Sequence, residues 1–165
     1  MSGIKIAVFL GSDSDLETMD PCFDVLREFG VPFGVYIASA HRTPDYLEEI
    51  LKTKAAPASV IIAAAGGAAH LPGVIASKVT VPVIGVPILT KALGGADSLY
   101  SIAQMPSGVP VATVGINAAK NAGLLALEIL SVSDNAVKDA LLDFRNKAKE
   151  AVIEKSRATE ARFIN

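Results

Sequence analysis

The chain holds two histidines, His41 and His70, and each lies in a short loop of small and polar residues directly after an apolar run. Imidazoles exchange protons readily near neutral pH, and open α/β folds bind ligands beyond the carboxyl ends of their strands. The pattern points to acid/base chemistry at an enzyme site. The loops are Ser39-Ala40-His41-Arg42-Thr43-Pro44 and Ala64-Ala65-Gly66-Gly67-Ala68-Ala69-His70-Leu71-Pro72-Gly73. A third, Gly11-Ser12-Asp13-Ser14-Asp15, sets backbone N–H groups and two hydroxyls before a helix, a natural anion seat. Two aspartates would repel a phosphate, so Ser12 and Ser14 are its natural contacts, and Asp15 is left with ribose hydroxyls or a helix cap. Arg42 supplies the cation that a phosphate needs. Small residues from Ala63 through Ala69 let backbone approach a flat ring and offer N–H groups to a carboxylate.

Each residue also has a plainer reading. A serine or aspartate N-cap accounts for one residue of the first loop. Arg42 could serve a surface ion pair, His41 an Asn-like turn, His70 a bond to backbone carbonyls, and the Gly/Ala run tight strand-to-helix packing. It is their combination in candidate ligand loops that favours function. No spacing of Cys, His or carboxylates suits a metal, no serine sits in a nucleophile elbow, and no lysine is placed for a Schiff base. The expectation is cofactor-free acid/base chemistry on a phosphorylated, planar metabolite.

Composition narrows the class further. The 165 residues are 51% hydrophobic but only 19% charged, which leaves little ionic surface and suits a homo-oligomer. A net charge of −2 without a basic cluster gives no footprint for nucleic acid, and no apolar run is long enough to span a membrane. The lone Cys22, inside a helical pattern, reads as a packed hydrophobe in a reducing cytoplasm.

The elements that must position these loops alternate between apolar runs and helical patterns, as in a parallel sheet covered on both faces. Strands are expected over Ile4 to Leu10, Val35 to Ala38, Val60 to Ala64, Val81 to Val86 and Val111 to Gly115. Helices fit Asp15 to Phe29 with Gly30 as its stop, Pro44 to Lys54, and an Ala- and Leu-rich Asn117 to Leu130 buried on more than one side. Asp134 opens a last helix, to about residue 158, with Val137, Leu141, Phe144, Ala148 and Ala151 in one stripe. Pro87 to Pro110 shows no clear element and should mix loop with short helices. The whole reads as one three-layer flavodoxin/Rossmann-like α/β domain with strand order 2-1-3-4-5 and a core over about residues 4–130. That order sets the loops after the first three strands side by side, so Ser12, Arg42 and His70 could reach one ligand.

Gly-Ser-x-Ser-Asp, Ser-Ala-His-Arg-Thr-Pro, Ala-Gly-Gly-Ala-Ala-His-Leu-Pro-Gly, Gly-Val-Pro and Asp-Ser-Leu-Tyr-Ser-Ile-x-Gln-Met-Pro occur in this order. From about Ile4 to Leu130 the chain resembles the N5-carboxyaminoimidazole ribonucleotide mutase family, catalytic subunits of phosphoribosylaminoimidazole carboxylase. Arg42 after the first histidine, with the Gly66-Gly67 loop, resembles the bacterial mutases more than the CO2-dependent carboxylases. The resemblance implies transfer of a carboxylate from the exocyclic nitrogen to ring carbon C4 without ATP, metal, biotin or other cofactor. It implies catalytic roles for His41, the proton shuttle, and for His70. It also implies substrate binding by Gly11, Ser12, Ser14, Asp15, Ser39, Ala40, Arg42, Ala65, Gly66, Gly67, Ala68 and Leu71. It further implies a homo-octamer with sites near subunit contacts, a C-terminal helix packed on a neighbour, and room for a transient contact with the ATP-dependent carboxylase that makes the substrate. The other readings are the CO2-dependent carboxylase and a non-catalytic nucleotide-binding module.

Overall fold

An unbroken apolar run has no polar face to show to water, so it needs cover on both sides. In the computed structural model of the chain, which describes residues 3–164, such a run forms the inner strand β1 (Ile6–Leu10), buried along its whole length. With β2 (Phe33–Ile37), β3 (Val60–Gly66), β4 (Val83–Ile88) and β5 (Ala112–Thr113) it makes an all-parallel sheet in the order β2-β1-β3-β4-β5. The helices are α1 (Leu16–Glu28), α2 (Pro44–Lys52), α3 (Leu71–Ala76), α4 (Ala96–Ala103), α5 (Ala119–Ser131) and α6 (Asn135–Phe163).

Because strand side chains alternate, the sheet divides the interior into two cores. Ile6, Val8 and Leu10 of β1 pack with α1, α5 and the start of α6, while Ala7 and Phe9 pack with α2, α3 and Ile102 of α4. A fully buried side chain such as Phe9 or Ile62 contributes about 1.5–3 kcal/mol. α5 is buried on more than one side, as its composition requires, against the sheet and α1. A Cβ at Gly123 would stand 2.5 Å from a Val25 methyl, so glycine permits this close approach of α5 to α1.

Register carries the chain into the site. Leu10 pairs with Ile37 on one side and Ala64 on the other, so three strands end nearly level. The Ala38 N–H donates to the Leu10 carbonyl (3.0 Å) and the Gly11 N–H to the Ala64 carbonyl (3.1 Å), which ties the starts of the following loops together.

Several boundaries differ from the sequence expectation. β1 starts at Ile6 rather than Ile4, β2 covers Phe33–Ile37 rather than Val35 to Ala38, and β4 covers Val83–Ile88 rather than Val81 to Val86. β3 continues to Gly66, because Ala65 and Gly66 still pair with Pro87 and Ile88. β5 shrinks to two residues, as an edge strand with a partner on one side only. The expected loop through Gly73 contains helix α3: Pro72 lies in its first turn, where no N–H partner is required, and burial of Leu71 and Ile75 overrides the cost of Gly73, about 1 kcal/mol. The unassigned Pro87 to Pro110 stretch contributes the end of β4 and α4.

α6 extends past residue 158 to Phe163. The Asp134 carboxylate caps it, accepting from the N–H groups of Ala136 (3.1 Å) and Val137 (3.3 Å) and from Lys5 Nζ (2.7 Å), and the Lys5 bond holds its pKa below the usual carboxylate value. Val137 and Leu141 are buried, and Phe144 meets Phe29 with ring centroids 5.8 Å apart. Ala148 and Ala151, further along the same stripe, are exposed where α6 runs past the body of the chain. No helix among the described residues is long and apolar enough to cross a membrane.

Candidate active site

Three loops at the carboxyl ends of β1, β2 and β3 enclose a cleft of about 390 Å3. The first leaves β1 at Gly11 and turns through a single 3-10 turn, Asp13–Asp15, into α1. Ser12 caps that turn, its Oγ accepting from the Ser14 N–H (3.3 Å) and lying 2.9 Å from the Ser14 hydroxyl. Asp15 makes no side-chain cap to α1, so the helix-cap reading of its carboxylate does not hold. Burial raises its pKa above 3.8, opposed by a bond from the Ser14 hydroxyl (3.3 Å).

The second loop braces itself. The Ser39 N–H donates to Thr43 Oγ1 (2.9 Å), which donates to the Ser39 carbonyl (3.2 Å), while Ser39 Oγ accepts from the Arg42 N–H (3.2 Å) and Nε (3.4 Å). Arg42 Nη2 reaches across to the Gly11 carbonyl (3.2 Å), so the guanidinium sits over the first loop. Arg42 belongs to none of the ion pairs among the described residues.

The third loop turns at Gly67, whose φ of +66° is a left-handed conformation that glycine adopts without a Cβ penalty. The Gly67 N–H donates to Ser98 Oγ (2.8 Å) and its carbonyl accepts from the Ala69 N–H (2.8 Å). The chain then reaches His70 at the start of α3, where His70 Nδ1 lies 2.8 Å from His41 Nε2 with the rings nearly perpendicular, at 79°. One imidazole donates and the other accepts, at a separation suited to proton transfer.

The structure brings together nearly all the residues singled out from sequence. Gly11, Ser12, Ser14 and Asp15 line the cleft with Ser39, Ala40, His41 and Arg42, and with Ala65, Gly66, Ala68, His70 and Leu71 of the third strand and loop. Gly67 is the exception: it shapes the turn, and its N–H is taken by Ser98, so it lines no part of the cleft. Sequence reasoning missed Ser98 as the support of this loop. The available signal was a hydroxyl among the apolar residues of a short helical segment, Asp-Ser-Leu-Tyr-Ser-Ile. Cys22 is packed inside α1, and burial pushes its thiol up to about 12. No group of three or more His, Cys, Asp or Glu side chains among the described residues is placed to hold a metal.

The AIR carboxylase family matches residues 5–151. An N5-carboxyaminoimidazole ribonucleotide mutase of Pyrococcus horikoshii is 53% identical over 156 residues, covering 94% of this chain and 88% of that protein. A protein of the same name from Bacillus subtilis is 51% identical over 154 residues, covering 92% of this chain and 95% of that one. The crystal structure of Treponema denticola PurE aligns with a TM-score of 0.85 at 30% identity, over 93% of this chain and 96% of the other.

Proposed function

Because the chain belongs to the AIR carboxylase family, we propose that it converts N5-carboxyaminoimidazole ribonucleotide to 4-carboxy-5-aminoimidazole ribonucleotide in purine biosynthesis. The observation that carries this reading is the contact of 2.8 Å between His41 and His70 in a cleft that also holds Arg42 and the serine loop. It supplies a proton carrier beside an anion seat. Ser12, Ser14 and the Arg42 guanidinium receive the ribonucleotide phosphate, and Asp15 receives ribose hydroxyls. Backbone of Gly66 and Ala68 accommodates the migrating carboxylate, with Gly67 shaping the turn between them, and Ala40, Ser39, Ala65, Leu71 and Gly11 complete the walls.

The reaction then needs two proton transfers, one to the exocyclic nitrogen and one from C4. His41, as imidazolium, gives a proton to the exocyclic nitrogen as the N–C bond breaks, releasing CO2 and leaving aminoimidazole ribonucleotide. C4 attacks the CO2, forming the new C–C bond and an intermediate that still carries hydrogen on C4. Neutral His41 removes that proton, the ring regains aromaticity, and His41 is again imidazolium. His70 supports the exchange through its bond to His41. Escape of CO2 wastes a turnover, so exclusion of solvent matters.

A homo-oligomer, an octamer on the family's pattern, would help to supply that exclusion. Supporting it are Leu89, Leu93 and Tyr100, which are 57%, 65% and 62% exposed on the segment after β4 and on α4, and the far half of α6, which could pack on a neighbouring subunit. We place the enzyme in the cytoplasm, with a transient contact to the ATP-dependent carboxylase that makes its unstable substrate.

The test is to supply N5-carboxyaminoimidazole ribonucleotide without ATP or bicarbonate and follow the ultraviolet absorbance of the C4-carboxylated product. Rapid conversion is expected. Product formed only from aminoimidazole ribonucleotide and high CO2 would make the protein a carboxylase, and no product from either would make it a binding module.

A further inference from the structure

Ser98 is a polar side chain with no exposed surface, outside the cleft. A buried hydroxyl is costly unless bonded, and in helices it is commonly satisfied by a carbonyl of the preceding turn. Ser101 follows that habit, donating to the Asp97 carbonyl (2.7 Å). Ser98 does not. It donates outward to the Ile88 carbonyl at the end of β4 (2.8 Å) and accepts the Gly67 N–H (2.8 Å). One hydroxyl thus joins a helix, the end of a sheet strand and the turn of the third loop.

Both anchors of this bridge are fixed. Ile88 is in register with Gly66 in the sheet, and the start of α4 is clamped by Thr90, whose hydroxyl donates to Asp97 Oδ1 (2.7 Å) and accepts from the Gly95 N–H (3.3 Å). From Gly67 the restraint passes along the loop: the Ala69 N–H donates to the Gly67 carbonyl and the His70 N–H to the Ala68 carbonyl, both at 2.8 Å. His70 then meets His41. Because Ser98 takes the Gly67 N–H, it is the neighbouring Ala68, a cleft residue whose N–H has no protein acceptor among the described residues, that keeps a donor for a ligand.

We propose that Ser98 is a positioning residue for the isomerisation, its buried hydroxyl fixing the Gly67 turn and thereby holding His70 against His41 and the Ala68 amide in the cleft wall. This rests on the function proposed above. It separates two kinds of binding: the phosphate end is held by the first two loops, which Ser98 does not touch, whereas the reacting end, where His41 meets His70, depends on the third as well.

The experiment compares Ser98→Ala and Ser98→Cys with the unmodified full-length protein, with Val137→Ala as a control for lost core packing far from the cleft. In Ser98→Ala, kcat is expected to fall by about 10- to 100-fold, the scale of a small misplacement of reacting groups, while KM changes by less than about threefold. Exchange of the Gly67 amide should accelerate, and the imidazole nitrogen resonances, simple to assign with two histidines in the chain, should lose the signature of their mutual bond. Val137→Ala should lower Tm and leave kcat alone. Ser98→Cys, nearly isosteric but a poor hydrogen-bonding group, should lie between, and it decides the matter if Ser98→Ala does not fold. Unmodified kcat in the folded variant, or unchanged Gly67 exchange, would overturn the proposal. Absence of turnover in the unmodified protein would instead sink the mutase reading, and amide exchange with the imidazole resonances would still decide whether Ser98 holds the loop.

Discussion

The second and third loops carry one imidazole each, yet they are held in opposite ways. Ser39 to Pro44 is fixed from within: Ser39, Arg42 and Thr43 bond to one another over five residues, and Pro44 starts α2. Gly66 to His70 has no side chain of its own to brace it before the histidine. It takes its support from Ser98, 31 residues beyond Gly67 along the chain. A loop that must let a ligand approach its backbone cannot carry bracing side chains, so its rigidity has to be imported.

The strongest challenge to this contrast is removal of the imidazole from the self-braced loop. His41→Asn should lower kcat by about 10²–10⁴-fold with ribonucleotide binding largely kept, measured by turnover beside calorimetric titration. Comparable loss of binding would mean that His41 braces the loop instead of moving protons. Next comes Arg42→Ala, which takes away the guanidinium over Gly11. Affinity for the ribonucleotide should fall by roughly 1.5–3 kcal/mol, the scale of a hydrogen bond to a charged group, with kcat at saturation changing less. An affinity equal to that of the unmodified protein would exclude a phosphate contact. Thr43→Val should then cost about 1 kcal/mol of stability for the lost bonds to Ser39 and should change KM more than kcat, the reverse of the Ser98 pattern. Identical splits in the two variants would erase the distinction between the loops.

The smallest effect concerns pH. Burial raises the Asp15 pKa above its ordinary 3.8, so the native state binds this proton more tightly than the unfolded chain does. Its contribution to stability is fully present below 3.8 and is lost as pH rises through the raised native value. Asp15→Asn should therefore flatten the dependence of Tm on pH just above 3.8 while weakening ribonucleotide binding near neutrality. A Tm profile parallel to that of the unmodified protein would show that the carboxylate is not held in a desolvated site.

Much of this architecture is legible because its signals are local. The run Ile6 to Leu10 has no polar face, Gly30 has the positive φ that ends α1, Pro44 opens α2, and Asp134 caps α6. Boundaries are less legible where packing outweighs propensity. Nothing in Leu71-Pro72-Gly73 announces a helix, and α3 forms because Leu71 and Ile75 are buried against the sheet. α4 was obscured by Gly94-Gly95 before it and by the long stretch around it.

Sequence alone determined the residue types that can do the chemistry, their placement after apolar strands and the parallel α/β plan, since each follows from side-chain chemistry and short-range periodicity. Tertiary structure alone decided that His41 Nε2 and His70 Nδ1 stand 2.8 Å apart, that Arg42 crosses to Gly11, and that Ser98 takes the Gly67 amide. These are contacts between residues 29 to 31 positions apart, and their distances are set by strand register and helix packing that no local run of sequence encodes.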